Sequence, residues 1–100
     1  MDDRIIQLLD KTWDHIEFLF AGGGQPGNWR QEPYRSDFFE VFVQMQQIAS
    51  MDGDQVARLL RERHLRSDDP ECEQKSEIVN EIRDAWNEWE YAWTKLRKAR

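Results

Sequence analysis

The chain has 100 residues, a formal net charge of -6 and a mean hydropathy of -0.91, and 34% of its residues are charged. This length fits one domain, and only 22 residues are Leu, Ile, Val or Phe, so the five Trp residues must supply much of the core. A single cysteine excludes an intrachain disulfide, and the acidic balance argues against a broad basic face that would bind nucleic-acid phosphates.

The first twenty residues carry apolar side chains at three- and four-residue steps, which is the spacing of one face of an α-helix. These positions are Ile5, Leu8, Leu9, Thr12, Trp13, Ile16, Leu19 and Phe20. We predict a helix from about Asp3 to Phe20, ended by the glycines at 22–24. The longest apolar stretch, Phe18 to Ala21, is too short to span a membrane, so we expect a cytoplasmic protein.

Residues 22–34 form a Gly/Pro-rich segment with neither helical nor strand periodicity, and we predict a loop there. A loop of this length is often functional in a compact domain. Trp29, Arg30 and Tyr34 lie in it, and these are residue types that contribute strongly to protein interfaces. We therefore predict that these three side chains contact a protein partner.

Two capping patterns predict the starts of the middle helices. Asp37-x-x-Glu40 reads as a capping box, so we expect the second helix to begin near Ser36 or Asp37. Its apolar face comprises Phe38, Phe39, Val41, Phe42, Met45, Ile48 and Ala49. Asp52-x-x-Gln55 is a second cap signal, and it predicts a short third helix that ends at about His64.

The last helix is the longest predicted element. Asp69 suits its N-cap and Pro70 its first position, and a helix from there to the end would be about 45 Å long. Its apolar positions follow a heptad spacing: Val79, Ile82, Trp86, Trp89, Trp93 and Leu96. The same register passes back through Cys72 and Lys75, and we expect that polar end to project beyond the core. Together these elements predict an all-α fold, a small bundle of about four helices forming one domain over residues 1–100.

Residue types that carry chemistry are sparse. His15 and His64 are the only histidines, and neither has the spacing of a metal ligand pair in a helical bundle. Cys72 lies among acidic residues, which oppose formation of a thiolate. We predict no catalytic residue, no metal, no cofactor and no small-molecule substrate.

The basic segment 58–66 is the exception to the acidic character of the chain. Its sequence Arg58-Leu-Leu-Arg-Glu-Arg-His64 resembles the Arg-x(4–6)-His motif of HEPN ribonucleases, which are small helical proteins that pair two motifs across a dimer. The resemblance implies that His64 would act as a general acid or base and that Arg58 would hold the scissile phosphate.

The same segment also fits the second helix of a helix-turn-helix unit, with Gly53 near the turn. Nucleic-acid binding through Arg58, Arg61, His64 and Arg66 is therefore an alternative function. The acidic residues of the turn, Asp52 and Asp54, oppose this alternative because they would repel the phosphates.

Residues 67–90 hold nine acidic and two basic residues, a net charge of -7. Five of the acids recur three or four residues apart along the last helix: Glu73, Glu77, Glu81, Asp84 and Glu88. Such a row is either a solvated face that keeps the helix soluble or, as the sharper hypothesis, an imitation of a phosphate backbone that binds a basic nucleic-acid site on a partner. In composition the chain is similar to small acidic phage-encoded inhibitors, anti-CRISPR proteins among them.

The heptad positions of the last helix predict a second contact surface. The helix is longer than its partners, so we expect Trp89 and Trp93 to remain available to a protein partner or to a second copy of the chain. The predicted function is therefore a non-enzymatic interaction module, an adaptor or inhibitor that docks on a protein.

Overall fold

A computed structural model of the chain describes residues 2–21 and 29–98. This part of the chain contains four α-helices and no strand: α1 is Asp3–Ala21, α2 is Tyr34–Ile48, α3 is Gly53–His64 and α4 is Cys72–Lys98. The all-α fold with a long last helix is therefore confirmed. Residues 22–28, most of the predicted loop, lie outside the described residues.

The chain forms two compact units, Met1–Met51 and Asp52–Arg100. In the first unit α1 packs against α2, and in the second α3 packs against α4. That the whole chain behaves as one domain stays a prediction. Within residues 2–21 and 29–98, no helix has both the length and the apolar character that crossing a bilayer requires.

The core of the first unit contains Trp29 and most of the predicted faces of its two helices, although Phe39, which was predicted to face the core, is 40% exposed. From α1 it contains Ile5, Leu8, Leu9, Trp13, Ile16 and Leu19, and from α2 Phe38, Val41, Phe42 and Met45. Thr12 is also buried, and its hydroxyl donates to the Leu8 carbonyl at 2.8 Å, so the polar group is satisfied within the helix.

The start of α2 differs from the sequence prediction. The helix begins at Tyr34, with Pro33 at the N-cap and no side-chain cap hydrogen bond. Asp37 lies inside that turn, and its backbone N–H donates to the Pro33 carbonyl at 3.4 Å. The predicted capping box at Asp37 is wrong, because residues before it already adopt helical geometry and supply the acceptor.

The start of α3 agrees with the sequence prediction. The carboxylate of Asp52 accepts the backbone N–H of Gln55 at 2.8 Å, and the Gln55 side chain accepts the backbone N–H of Asp52 at 3.1 Å. This reciprocal pair satisfies two of the N–H groups that a helix start leaves without partners.

The two helices of the second unit run antiparallel. At the start of α3, Gly53 contacts Asn87, and farther along α3 the guanidinium of Arg61 donates to the side-chain oxygen of Asn80. Residues later in α3 therefore contact residues earlier in α4. Residues 88–98 of α4 consequently extend past the beginning of α3.

The start of α4 lies two residues later than predicted, at Cys72. Asp69 nevertheless caps it, since its carboxylate accepts the Glu71 N–H at 2.8 Å and its carbonyl accepts the Cys72 N–H at 3.0 Å. The expectation that this end projects beyond the core is wrong at Lys75, which is only 3% exposed. Its ammonium pairs with Asp69 at 2.7 Å, and this contact allows a charged group to be buried.

Candidate protein-interaction surfaces

The acidic row of α4 occupies one face of the helix. At 100° per residue, its five members fall within an arc of about 80°. The buried residues Val79, Ile82 and Trp86 lie roughly on the opposite side of the same helix. From Glu73 to Glu88 the row is about 22 Å long at 1.5 Å per residue. Packing of the apolar side therefore holds the acidic side in a fixed direction.

Most carboxylates of this row are accessible. Glu73, Glu77, Asp84 and Glu88 are exposed, and Glu81 is half-buried. Asp84 pairs with its neighbour Arg83 at 3.1 Å, and Arg83 also approaches Asp54 of α3 at 3.8 Å. Arg83 therefore reduces the negative charge near the middle of the row, while its two ends stay strongly acidic.

The heptad positions of α4 become more exposed toward its C-terminus. Trp86 is only 1% exposed, Trp89 and Trp93 are half-buried, and Leu96 is 68% exposed. Beside them Tyr91 is 65% exposed, and the Lys95 ammonium lies 5.0 Å from the centre of its ring. The predicted contact residues Trp89 and Trp93 therefore expose only part of each indole.

The environment of Glu90 was not predicted from the sequence. Its side chain is half-buried, and its buried Oε2 has no hydrogen-bond partner. Burial raises the pKa of this carboxyl, and the negative charge of Asp52 adds to the effect. Its position next to Trp89, one of the apolar heptad residues, could have indicated that it is buried. Because the helix is rich in Glu, Glu90 resembled a solvated residue.

The loop residues predicted to contact a partner have different environments. Trp29 is 1% exposed and packs edge-on against Phe38 at 5.7 Å between ring centres, so its indole belongs to the core of the first unit. Arg30 is exposed, and its guanidinium lies 5.2 Å from the Trp29 ring. Tyr34 is half-buried beside Phe18, which is 64% exposed. Burial removes Trp29 from the accessible surface and leaves Arg30, Tyr34 and Phe18.

The basic residues of α3 and the turn after it do not form one accessible group. Arg58 is exposed, Arg61 is bound to Asn80, and His64 is half-buried at the end of the helix. Arg66 follows the helix and approaches Asp68 at 3.6 Å. Six residues along an α-helix correspond to a rotation of about 120° from one side chain to the other, so α3 directs Arg58 and His64 to different faces.

Gly53 has a packing role that differs from the turn position of the helix-turn-helix interpretation. It is the first residue of α3, and it is buried against α4. A Cβ added to it would lie 2.3 Å from the Arg83 carbonyl oxygen. A glycine is therefore needed here so that the backbones of the two helices can approach closely.

Among the described residues, no three side chains of His, Cys, Asp or Glu are grouped closely enough to hold a metal ion. An open groove of about 410 Å³ lies on α2 and the residues just before it, with Arg35, Phe39 and Val43 among its walls. Most of its lining comes from one face of a single helix, and its charged groups carry both signs. It contains no arrangement of convergent polar groups that would indicate a particular ligand.

The chain matches no protein-family model and is similar to no curated protein or solved structure. Of the surfaces described above, the acidic face of α4 combines exposed charge of one sign with a rigid support.

Proposed function

We propose that this chain is a non-enzymatic interaction module that inhibits its protein partner by inserting the acidic face of α4 into a basic, nucleic-acid-binding site. The observation that carries the proposal is the position of Glu73, Glu77, Asp84 and Glu88, all exposed on one side of a helix whose other side is packed. A cytoplasmic location stays a prediction.

The spacing of the carboxylates supports imitation of nucleic acid. Side chains three or four residues apart on a helix have Cβ atoms about 5–6 Å from one another, and the phosphates of a nucleic-acid strand also form a regular row of negative charge. Because α4 is already folded, little ordering entropy is lost on docking. Trp89 lies one heptad after Ile82, on the side of α4 away from the row, so any contact that it makes with a partner is separate from the acidic face.

The proposal is tested by affinity capture from a host lysate with the immobilised chain, followed by direct measurement with the captured protein. We expect nucleic acid to compete with the chain for that protein. We also expect the association rate to fall steeply as salt is added, because long-range attraction between charges is screened.

A charge-neutralised variant with a matched control makes this test specific. Replacing Glu77, Glu81 and Asp84 by Gln, Gln and Asn should weaken binding about tenfold or more. The control replaces the exposed residues Asp3, Asp14 and Glu62 by Asn, Asn and Gln, which changes the net charge equally at other places. Equal binding by both variants would contradict the proposal, and so would a captured protein with no basic site.

Docking through the loop residues and a nucleic-acid function of α3 both stay predictions, and each has its own test. Arg30→Ala and Tyr34→Ala examine docking through the loop residues that remain accessible in the first unit. Incubation of the chain with single-stranded RNA examines the alternatives on α3. Binding lost on substitution of Arg58, Arg61 and Arg66, or cleavage lost in His64→Ala, would favour the nucleic-acid-binding or HEPN-like function.

A further inference from the structure

The part of α4 that extends past α3 carries a compact group of exposed residues, which we call the terminal face: Glu88, Tyr91, Ala92, Lys95 and Leu96. Tyr91 and Leu96 are 65% and 68% exposed. Ala92 lies between them on the helix surface, so the three residues give this side of α4 a continuous apolar strip flanked by charges.

The charge along this side of α4 changes sign. It is negative from Glu73 to Glu88 and positive at Lys95. In the sequence, residues 67–90 have a net charge of -7 and residues 91–100 have a net charge of +4. A surface with this arrangement is complementary to a second copy of itself that runs in the opposite direction. In a parallel arrangement Glu88 would face Glu88 of the other copy, which is unfavourable.

We propose that a second copy of this chain docks antiparallel on the terminal face. A two-fold axis passing between Tyr91 and Ala92 is equally distant from Glu88 and Lys95 along the helix. It therefore places Glu88 of each copy opposite Lys95 of the other, twice by symmetry. Tyr91 and Ala92 lie next to the axis, and Leu96 covers each edge.

This inference goes beyond the proposed function and does not depend on it. The dimer uses α4 from Glu88 onward and leaves Glu73 and Glu77 exposed for a partner. The terminal face has five residues, far fewer than the roughly 20–30 on each side of a standard interface, so the dimer should be weak and should form in a concentration-dependent way.

Sedimentation velocity of the full chain, from micromolar to millimolar concentration, tests the inference. We expect a reversible monomer–dimer equilibrium that weakens as salt is added. Glu88→Lys and Lys95→Glu should each weaken dimerisation roughly tenfold, because each change turns two attractive pairs into two repulsive ones. Glu62→Lys, exposed on α3 and outside both the terminal face and the acidic row, changes the charge equally and should leave the equilibrium near that of the unmodified chain.

Mixing the two variants gives the decisive result. The Glu88→Lys and Lys95→Glu chains should form a heterodimer with each other, and a chain carrying both changes should dimerise again by itself. These rescues cannot come from misfolded protein, so they separate the contact from any effect on stability. A strict monomer throughout, or a dimer that neither single change weakens, would overturn the inference.

Discussion

The backbone N–H of Gly53 donates to the Oδ1 atom of Asn87 at 2.7 Å, and this hydrogen bond joins the first turn of α3 to the middle of α4. A Cβ at Gly53 would lie 2.3 Å from the Arg83 carbonyl oxygen, closer than real Cβ atoms approach other heavy atoms. Gly53→Ala should therefore lower the free energy of unfolding by about 1–3 kcal/mol or more, as measured by urea denaturation.

A second substitution separates backbone crowding from side-chain crowding at this contact. Asn87→Ala removes the acceptor and should cost about 1 kcal/mol. Because the shorter Cβ contact is to backbone, the double variant should be no more stable than Gly53→Ala alone. Rescue of Gly53→Ala by Asn87→Ala would show that the side chain, and not the backbone of α4, requires the glycine.

The two capping patterns should differ in energy. Asp52→Ala removes a carboxylate that accepts the Gln55 N–H, and it should cost about 0.5–2 kcal/mol in a denaturant titration. Asp37→Ala is the matched control, because α2 has no side-chain cap hydrogen bond and Asp37 only lies in its first turn. An equal loss of stability in both variants would contradict the cap assignment.

The buried ion pair should respond differently to removal of each partner. Asp69→Asn removes the carboxylate that lies 2.7 Å from the buried Lys75 ammonium and should be clearly destabilising, whereas Lys75→Met removes the buried charge itself and should change stability by less than about 1 kcal/mol. Thermal melts followed by circular dichroism check the order of the two variants. A Lys75→Met loss as large as that of Asp69→Asn would contradict this account.

The same pair sets a pH dependence. The hydrogen bond from Lys75, with that from the Glu71 N–H, lowers the pKa of Asp69 below 3.8. Its contribution is therefore fully present above that pH and is lost as pH falls through the lowered value. The unfolding free energy of the unmodified chain should drop more steeply below pH 3.8 than that of Asp69→Asn, which equilibrium unfolding at several pH values measures.

Glu90 should have the opposite pH dependence. Burial raises the pKa of the Glu90 carboxyl above 4.5, because the charged form is unfavourable in the folded chain. The free energy of unfolding therefore falls as pH rises through the raised pKa. Glu90→Gln should therefore increase the free energy of unfolding at neutral pH and have a smaller effect near pH 4. Glu77→Gln, exposed on the same helix, is the matched control and should change stability little. A loss of stability in Glu90→Gln at neutral pH would contradict this assignment.

Trp29 should behave as a core residue and not as a contact residue. Its indole is buried against Phe38, so Trp29→Ala should cost about 3–5 kcal/mol, and Trp29→Phe should cost less because it keeps an aromatic ring. Arg30→Ala, exposed at the next position, should cost under about 1 kcal/mol. Calorimetric melting distinguishes these outcomes, and a stable, folded Trp29→Ala would return the side chain to the set of contact candidates.

The sequence by itself determined the helical class and most helix bounds, because apolar spacing along α1, α3 and α4 depends only on the period of the helix. The cap at Asp52 was equally readable, since both of its hydrogen bonds join Asp52 to Gln55, three residues later. The positions of the acidic row were readable for the same reason. One helix face is defined by residue numbers alone.

Only the tertiary structure decided which of those side chains are accessible. Trp29, in a glycine-rich segment, is buried because α2 places Phe38 against it, and Lys75 is buried because Asp69 lies close enough to neutralise it. The buried Oε2 atom of Glu90 has no hydrogen-bond partner, and the close approach of α3 to α4 requires a glycine at position 53. Burial and pairing depend on how separate segments of the chain pack against one another, and the residue pattern within one helix does not record those contacts.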